Sequence, residues 1–400
     1  MSEWKEATLG EIVTFQRGHD LPQTEFKGGK YPIVGSNGII GYHNEYTTEE
    51  NGITIGRSGN IGNPFFINSK FWAHNTTLYV KEFHNSFPKF VYYFLKTLNF
   101  QKLNSGSAVP SLNRNYIHPF PIKVPDYEEQ KQIADVLSCL DRKIDNLRRQ
   151  NETLEKIAQT LFKHWFIDFE FPNDDGKPYK SSGGAMVASE LGDIPEGWRV
   201  ITLKECLQHL IDNRGKTPKF FASGIPALSA KFIKGGNLVN RENFNYISID
   251  LFAASEKLQS GDIIMTSEAP LGELYYISKN TNYYPAQRVF ALRANQKVVL
   301  SAYLNYWLGN SLGQSLINRR ATGSTVQGIK QTELYQCEVL IPQRELMEKF
   351  SHCFNKVLYK KEFNENQIQT LTKTRDTLLP KLMSGEIRVK EAESIIEEGK

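Results

Sequence analysis

Trp198-Arg199-Val200-Ile201-Thr202-Leu203-Lys204-Glu205 repeats the pattern of Trp4-Lys5-Glu6-Ala7-Thr8-Leu9-Gly10-Glu11, with Trp, Thr, Leu and Glu at one spacing. Pro32 and Pro226 keep the same offset of 194. Further along, Gly62 and Ile67 match Gly272 and Ile277, and Tyr93-Phe94-Leu95 matches Tyr306-Trp307-Leu308. Gly106-Ser107 then matches Gly323-Ser324 and Pro125 matches Pro342, by which point loop insertions have raised the offset to 217. Matches this ordered, over this length, mean a duplicated unit and not a short-period solenoid.

Each copy opens with a Gly- and aromatic-rich region. Short β-rich runs (Gly52-Ile53-Thr54-Ile55, Thr77-Leu78-Tyr79-Val80, Asp262-Ile263-Ile264) alternate there with turn signals such as Ser36-Asn37-Gly38 and Ser58-Gly59-Asn60. A helix is predicted near 87–100, and its counterpart near 303–316. A proline (Pro125, Pro342) then stops the strand-like run and a long helical segment follows. In the first such segment Ile133, Leu137, Leu140, Ile144, Leu147, Asn151, Leu154, Ala158 and Leu161 step alternately by four and three, a heptad seam. Adding 217 gives Phe350, Phe354, Val357, Lys361, Asn364, Ile368, Leu371, Arg375 and Leu378, a weaker seam interrupted by Lys361, Asn364 and Arg375.

A register shared across a duplication predicts that the two helices pair. Antiparallel pairing is expected, because a parallel pair would make residues 171–193 retrace a rod of roughly 60 Å with a maximum reach of about 75 Å. The expected fold class is α+β: two similar mixed globules separated by two long helices in an antiparallel coiled coil, with pseudo-twofold internal symmetry. The expected boundaries are 1–125 for the first globule, 126–170 for the first helical region and 171–193 for a linker. The second globule follows at 194–342, the second helical region at 343–385 and a tail at 386–400. Within this scheme the span between the globules scales with helix length.

At 400 residues, 40% hydrophobic and 23% charged, the composition is that of a globular protein of more than one domain. No apolar run of about 18 residues exists, so a transmembrane helix is not expected, and Met1-Ser2-Glu3-Trp4-Lys5 lacks the basic-then-apolar pattern of a secretion signal, so none is expected. Cys139, Cys206, Cys337 and Cys353 are scattered without CxxC spacing, which argues against disulfides or zinc and for reduced thiols in the cytoplasm. The net charge of +4 is uneven: +3 over 1–125, −5 over 126–193, +5 over 194–342 and +1 over 343–400. Two modestly basic globules suit a polyanionic partner.

Signatures of catalysis fail on inspection. Gly215-Lys216-Thr217 ends like a nucleotide-binding loop, but Leu210 stands where the leading Gly belongs. The Asn-Pro-Pro-Tyr type motif of amino-methyltransferases is absent. Asp126, Glu129 and Lys131 after Pro125 could be arranged as a nuclease motif, yet all fall on one helix start, where acids favour the dipole. Gly56-x-x-Gly59-x-x-Gly62 is a weak phosphate-loop pattern, and the eight histidines show no metal-binding spacing.

Taken with this layout, four stretches resemble Type I restriction–modification specificity subunits. They are Leu191-Gly192-Asp193-Ile194-Pro195-Glu196-Gly197-Trp198, Leu161-Phe162-Lys163-His164-Trp165-Phe166-Ile167-Asp168-Phe169, Pro110-Ser111-Leu112 with Ile122-Lys123-Val124-Pro125, and Leu378-Leu379-Pro380-Lys381-Leu382-Met383-Ser384-Gly385-Glu386-Ile387. Together they span the chain. The first copy departs from the pattern by beginning at Ser2-Glu3-Trp4 without the Ile-Pro-x-Gly lead-in. The resemblance implies that the globules are target recognition domains for a split, asymmetric site in double-stranded DNA. It also implies that the helices dock two copies of an S-adenosylmethionine-dependent methyltransferase subunit, with an ATP-dependent translocating nuclease as an optional addition. By the same likeness this chain is not an enzyme and holds no cofactor; S-adenosylmethionine and ATP with magnesium belong to partners. The alternative is a non-catalytic scaffold whose duplicated domains bind protein.

Base reading needs paired donors and acceptors: Arg and Lys for guanine, Asn and Gln for adenine. In the first domain the candidates are Arg57, Ser58 and Asn60, then His74 and Asn75, then Asn113 and Arg114 with Asn115. In the second they are Thr266 and Ser267 with Glu268, then Gln287 and Arg288, Arg319 and Arg320, and Ser324, Thr325, Gln327 and Lys330. His74-Asn75 is expected opposite Gln287-Arg288, at an offset of 213. Arg17, Lys216, Lys219 and Lys231 are candidates for phosphate contacts, which carry no sequence information.

Overall fold

The computed structural model describes residues 4–100, 111–323 and 326–398. Ser2-Glu3, Gly106-Ser107, Pro110, Ser324 and Thr325, all named above, lie outside the described residues. The chain divides into two units, Met1–Arg148 with Asn364–Lys400, and Arg149–Phe363. The division cuts through the long helices Tyr127–Phe166 and Arg344–Ser384, so each unit holds one half of each helix.

The units share one plan. In the first, strand Lys5–Thr8 pairs antiparallel with Pro121–Val124; in the second, Arg199–Thr202 pairs with Glu338–Ile341. A four-stranded antiparallel sheet follows, ordered Val13–Arg17, Thr77–Phe83, Gly52–Gly56, Pro64–Ile67 in the first unit. The order Leu207–Asp212, Val289–Ala294, Ile263–Thr266, Leu274–Tyr276 answers it in the second. Each unit also has a three-stranded sheet in which a central strand (Tyr31–Gly35 or Ile225–Leu228) takes one antiparallel and one parallel neighbour.

The quoted Thr-Leu-x-Glu motif is the corner joining ribbon to sheet. The Glu11 carboxylate accepts from the backbone amide and hydroxyl of Thr8, and Glu205 does the same for Thr202, which starts a single helical turn in each copy. Leu9 and Leu203 on those turns are fully buried. The tryptophans sit beside the end of the helix that precedes each unit in the circular order. Trp198 packs on Phe166, Phe169 and Phe171, just past the first long helix. Trp4 has the Arg388 guanidinium 5.7 Å from its ring, just past the second.

Within each unit the two long helices pair antiparallel. In the first, Ile133, Leu137 and Leu140 share a core with Leu378 and Leu382, while Ile144 and Leu147 meet Ile368 and Leu371. In the second, Ala158, Phe162 and Phe166 meet Phe350 and Phe354, with Val357 at the margin. The two charged interruptions of the second seam have partners: Arg375 reaches Asp141 at 2.7 Å in the first unit, and Lys361 reaches Glu155 at 2.7 Å in the second. Each acid also accepts from a tyrosine of its globule, Tyr93 to Asp141 (2.6 Å) and Tyr306 to Glu155 (3.0 Å). Burial first, and the neighbouring carboxylate second, push both phenols far above their usual range, so they act as permanent donors.

The seam differs from expectation at its end. Leu154 and Leu161 are only half-buried, and the buried row runs Ala158, Phe162, Phe166. Steps of four turn the apolar stripe off the heptad line toward the globule, where Phe162 meets Tyr303 and Tyr306 as well as Phe350. The tail carries a helix, Val389–Glu398, whose Ala392 is buried in the first unit's core. The linker carries a hairpin, Met186–Ser189 with Gly192–Pro195. Burial pushes the Cys206 thiol up to about 12 and the Cys337 thiol to about 11, which leaves both inert. No helix among the described residues is long and apolar enough to cross a membrane.

Candidate nucleic-acid interface

Three loops converge at one end of each four-stranded sheet, and the same backbone bonds hold them in both units. The Arg57 amide donates to the Thr76 carbonyl (2.8 Å), as the Ser267 amide does to Arg288 (2.9 Å). The Arg57 carbonyl accepts from Leu112 (2.8 Å) and that of Ser267 from Ile329 (3.0 Å). His74 donates to Val34 (3.0 Å) where Ala286 donates to Leu228 (2.7 Å). These bonds set Asn75-Thr76 opposite Gln287-Arg288, one residue away from the expected alignment of His74-Asn75, because the loop insertions fall before this strand at an offset of 212.

In the first unit the convergence joins Arg57, Ser58, Asn75 and Asn113. Arg57 donates to the Asn75 carbonyl (3.3 Å), and Asn75 donates from its amide to Asp20. That bond is the largest cause holding the Asp20 carboxyl below its usual range. Asn60, Asn113, Arg114 and Asn115 are exposed. Asn113 caps the helix Arg114–Ile117 by accepting from Asn115 (3.0 Å), and Arg114 reaches the Phe15 carbonyl at 3.5 Å. His74 is internal scaffolding: its ring bonds Thr76 (3.0 Å) and the Leu21 carbonyl (3.3 Å). The glycine triplet shapes the loop, with Gly62 bonded back to Gly56 (2.8 Å); a Cβ on Gly56 would lie 1.7 Å from the Asn60 carbonyl.

In the second unit Ser267, Gln287, Arg288 and Lys330 line a cleft of about 430 Å³ with Arg214, Glu268 and Val326. Gln287 donates to Thr217 at 2.5 Å and Arg288 pairs with Glu268 at 3.0 Å. Gln327 is exposed beside the cleft. Thr266 stands apart from expectation because it is fully buried, donating to the Pro270 carbonyl (2.5 Å) and accepting from Glu273 (2.9 Å). Ser267 is buried too, and contributes mainly backbone. Arg319 and Arg320 are not in the cleft lining, since both turn to Glu338, at 3.1 and 3.4 Å.

Arg214 was missed by sequence reasoning, which singled out in its neighbourhood a failed nucleotide loop and the phosphate candidates Lys216 and Lys219. Its guanidinium lies 4.0 Å from the Phe290 ring centre, is paired with Asp212 at 2.7 Å and donates to the Ile329 carbonyl at 2.9 Å. The Ser36-Asn37 hairpin was read only as a turn. It leans on the first cluster through Ser36, whose amide donates to Thr76 (3.3 Å), and it brings the exposed Ile39 and Ile40 alongside. Lys216 and Lys219 remain exposed, while Arg17 pairs with Asp20 at 3.2 Å and Lys231 lies over Phe232. The suspected nuclease triad is a helix cap, with Asp126 accepting from the Glu129 amide (2.9 Å) and Glu129 paired to Arg388 (2.6 Å). Among the described residues no group of three or more His, Cys, Asp or Glu could hold a metal.

Comparison with known proteins agrees with this plan. The chain is 30% identical over 330 residues to the Type I restriction enzyme MjaIX specificity subunit of Methanocaldococcus jannaschii, across 77% of this chain and 72% of that one. The MjaVIII specificity subunit of the same organism is 23% identical over 412 residues, across 97% and 94%. In fold, the chain matches the crystal structure of a Type I restriction–modification S subunit from M. genitalium with a TM-score of 0.60, at 18% identity and over 96% of both chains. The model of the Type I restriction modification DNA specificity domain matches twice, at residues 1–156 and 195–373. With both copies of that domain present in the order its duplicated sequence requires, the chain belongs to the Type I restriction–modification specificity subunits.

Proposed function

We propose that this chain is the non-catalytic, DNA-reading subunit of a Type I restriction–modification complex. Each unit reads one half of a split, asymmetric target, and the long helices dock methyltransferase subunits that bring the S-adenosylmethionine chemistry. A translocating nuclease that uses ATP and magnesium is an optional further partner. One observation carries the reading: a single strand plan presents Ser58, Asn75 and Thr76 in one unit and Glu268, Gln287 and Arg288 at the equivalent places in the other. A shared frame with unlike side chains at its tips is what two different half-sequences require.

The test is selection from a genomic fragment library by the chain co-expressed with its methyltransferase partner. A bipartite enriched sequence is expected, with affinity falling steeply as salt rises. Absence of any sequence preference would overturn the reading in favour of a protein-binding scaffold. Methyl transfer by the purified chain alone, given S-adenosylmethionine, would overturn its non-catalytic part.

A further inference from the structure

The cleft of the second unit holds a pair of side chains whose arrangement goes beyond general DNA affinity. Arg288 stands at φ 62°, in the left-handed region that residues with a Cβ avoid, and Ala269 beside Glu268 stands at φ 52°. Such backbone persists only where its surroundings impose it, and it gathers at functional sites. Here Arg288 lies 3.0 Å from Glu268, with both side chains open to solvent at 59% and 40%. An ion pair this exposed adds little to stability, so the strained backbone is not explained by the bond it makes.

Glu268 is also the odd charge in its setting, since Arg214, Arg288 and Lys330 line the same cleft. Phosphates would repel a carboxylate placed among cations that attract them. A base edge can offset that repulsion: the cytosine N4 amino group is a donor that Glu accepts from in the major groove. The guanine opposite shows N7 and O6, two acceptors that one guanidinium meets together. Resting on the DNA-reading role proposed above, we infer that Glu268 and Arg288 jointly read a single C·G base pair in the second half-site, Arg288 on guanine and Glu268 on cytosine. The first unit places Ser58 and Thr76 at the equivalent positions, so the pair belongs to the second half-site alone.

The experiment uses the chain in complex with its methyltransferase partner and a DNA library randomised across both halves of the selected site. Wild type is expected to demand C·G at one position of the second half. Arg288→Gly, chosen because Gly adopts left-handed backbone freely and offers no side chain to a base, and Glu268→Ala are each expected to relax that same position by about tenfold or more. Unchanged selection in the first half reports that both variants are folded. Replacing that guanine with 7-deazaguanine, which lacks N7, should weaken wild type about tenfold and leave Arg288→Gly indifferent. A sequence-selective complex whose second half shows no such position, or in which the two substitutions relax different positions or none, overturns this pairing while leaving the DNA-reading role intact. A wild-type complex with no preference at all overturns both.

Discussion

At the scale of single residues, polar side chains in the globules divide into those that hold loops and those that face outward, and residue type does not separate them. Thr266, His74 and Arg320 have the chemistry of base readers, but their bonds are spent on protein. His118 shows how strictly such scaffolding is set. Its Nε2 accepts from the Phe15 amide at 3.0 Å, so the ring must be neutral, and burial holds its pKa below the ordinary imidazole value near 6.5. A histidine with a depressed folded pKa contributes stability that is complete above its unfolded value and is lost as pH falls through the folded one. The melting temperature of wild type is therefore expected to fall, relative to His118→Gln, as pH drops below about 6.5. Parallel melting of the two proteins across that range would remove this role from His118.

At the scale of elements, the heptad pattern correctly marked two paired helices, but it treated Lys361 and Arg375 as flaws. They are registration points: each meets an acid of the partner helix that is bonded in turn to a tyrosine of the globule. Polar groups inside a seam commonly trade stability for a unique register. Arg375→Leu alone leaves Asp141 half-buried against Tyr93, and is expected to cost about 1–2 kcal/mol, after allowance for the partial exposure of the pair. Asp141→Leu with Arg375→Leu should recover much of that loss, because removing both charges removes the uncompensated one. Chemical denaturation of the three proteins measures this, and a double variant no more stable than Arg375→Leu would contradict it. The rotation of the buried row from Leu161 to Phe162 was invisible in the pattern, since it depends on aromatic rings more than 130 residues further along the chain.

At the scale of the whole molecule, the duplication is circular in character. In the second unit the chain runs on from the end of the first long helix through the linker to Trp198, which packs back on Phe166. In the first unit Trp4 meets Gly385 and Arg388 past the end of the second long helix, with no peptide bond to make the join. A permuted chain that links residue 398 to residue 4 through a short flexible segment, and opens beside Gly176, should therefore fold and keep the same DNA preference. Gly176 sits in an exposed turn with nothing within 4 Å of an added Cβ, the kind of site where new ends are tolerated. Circular dichroism and library selection would check this. An unfolded product would mean that covalent continuity within 171–193 is itself required.

The sequence by itself determined the duplication, the α+β class and the two long helices, because these rest on local periodicity and spacing that hold wherever the chain lies; the family was legible through the resemblance carried by four motif stretches. The sequence also marked the loops that carry the candidate readers. Only the tertiary structure decided which members of those loops are available. Arg57 and Asn75, or Glu268 and Arg288, are brought together by strand pairing across many residues, and whether a polar group faces a partner or solvent depends on neighbours the linear order does not name.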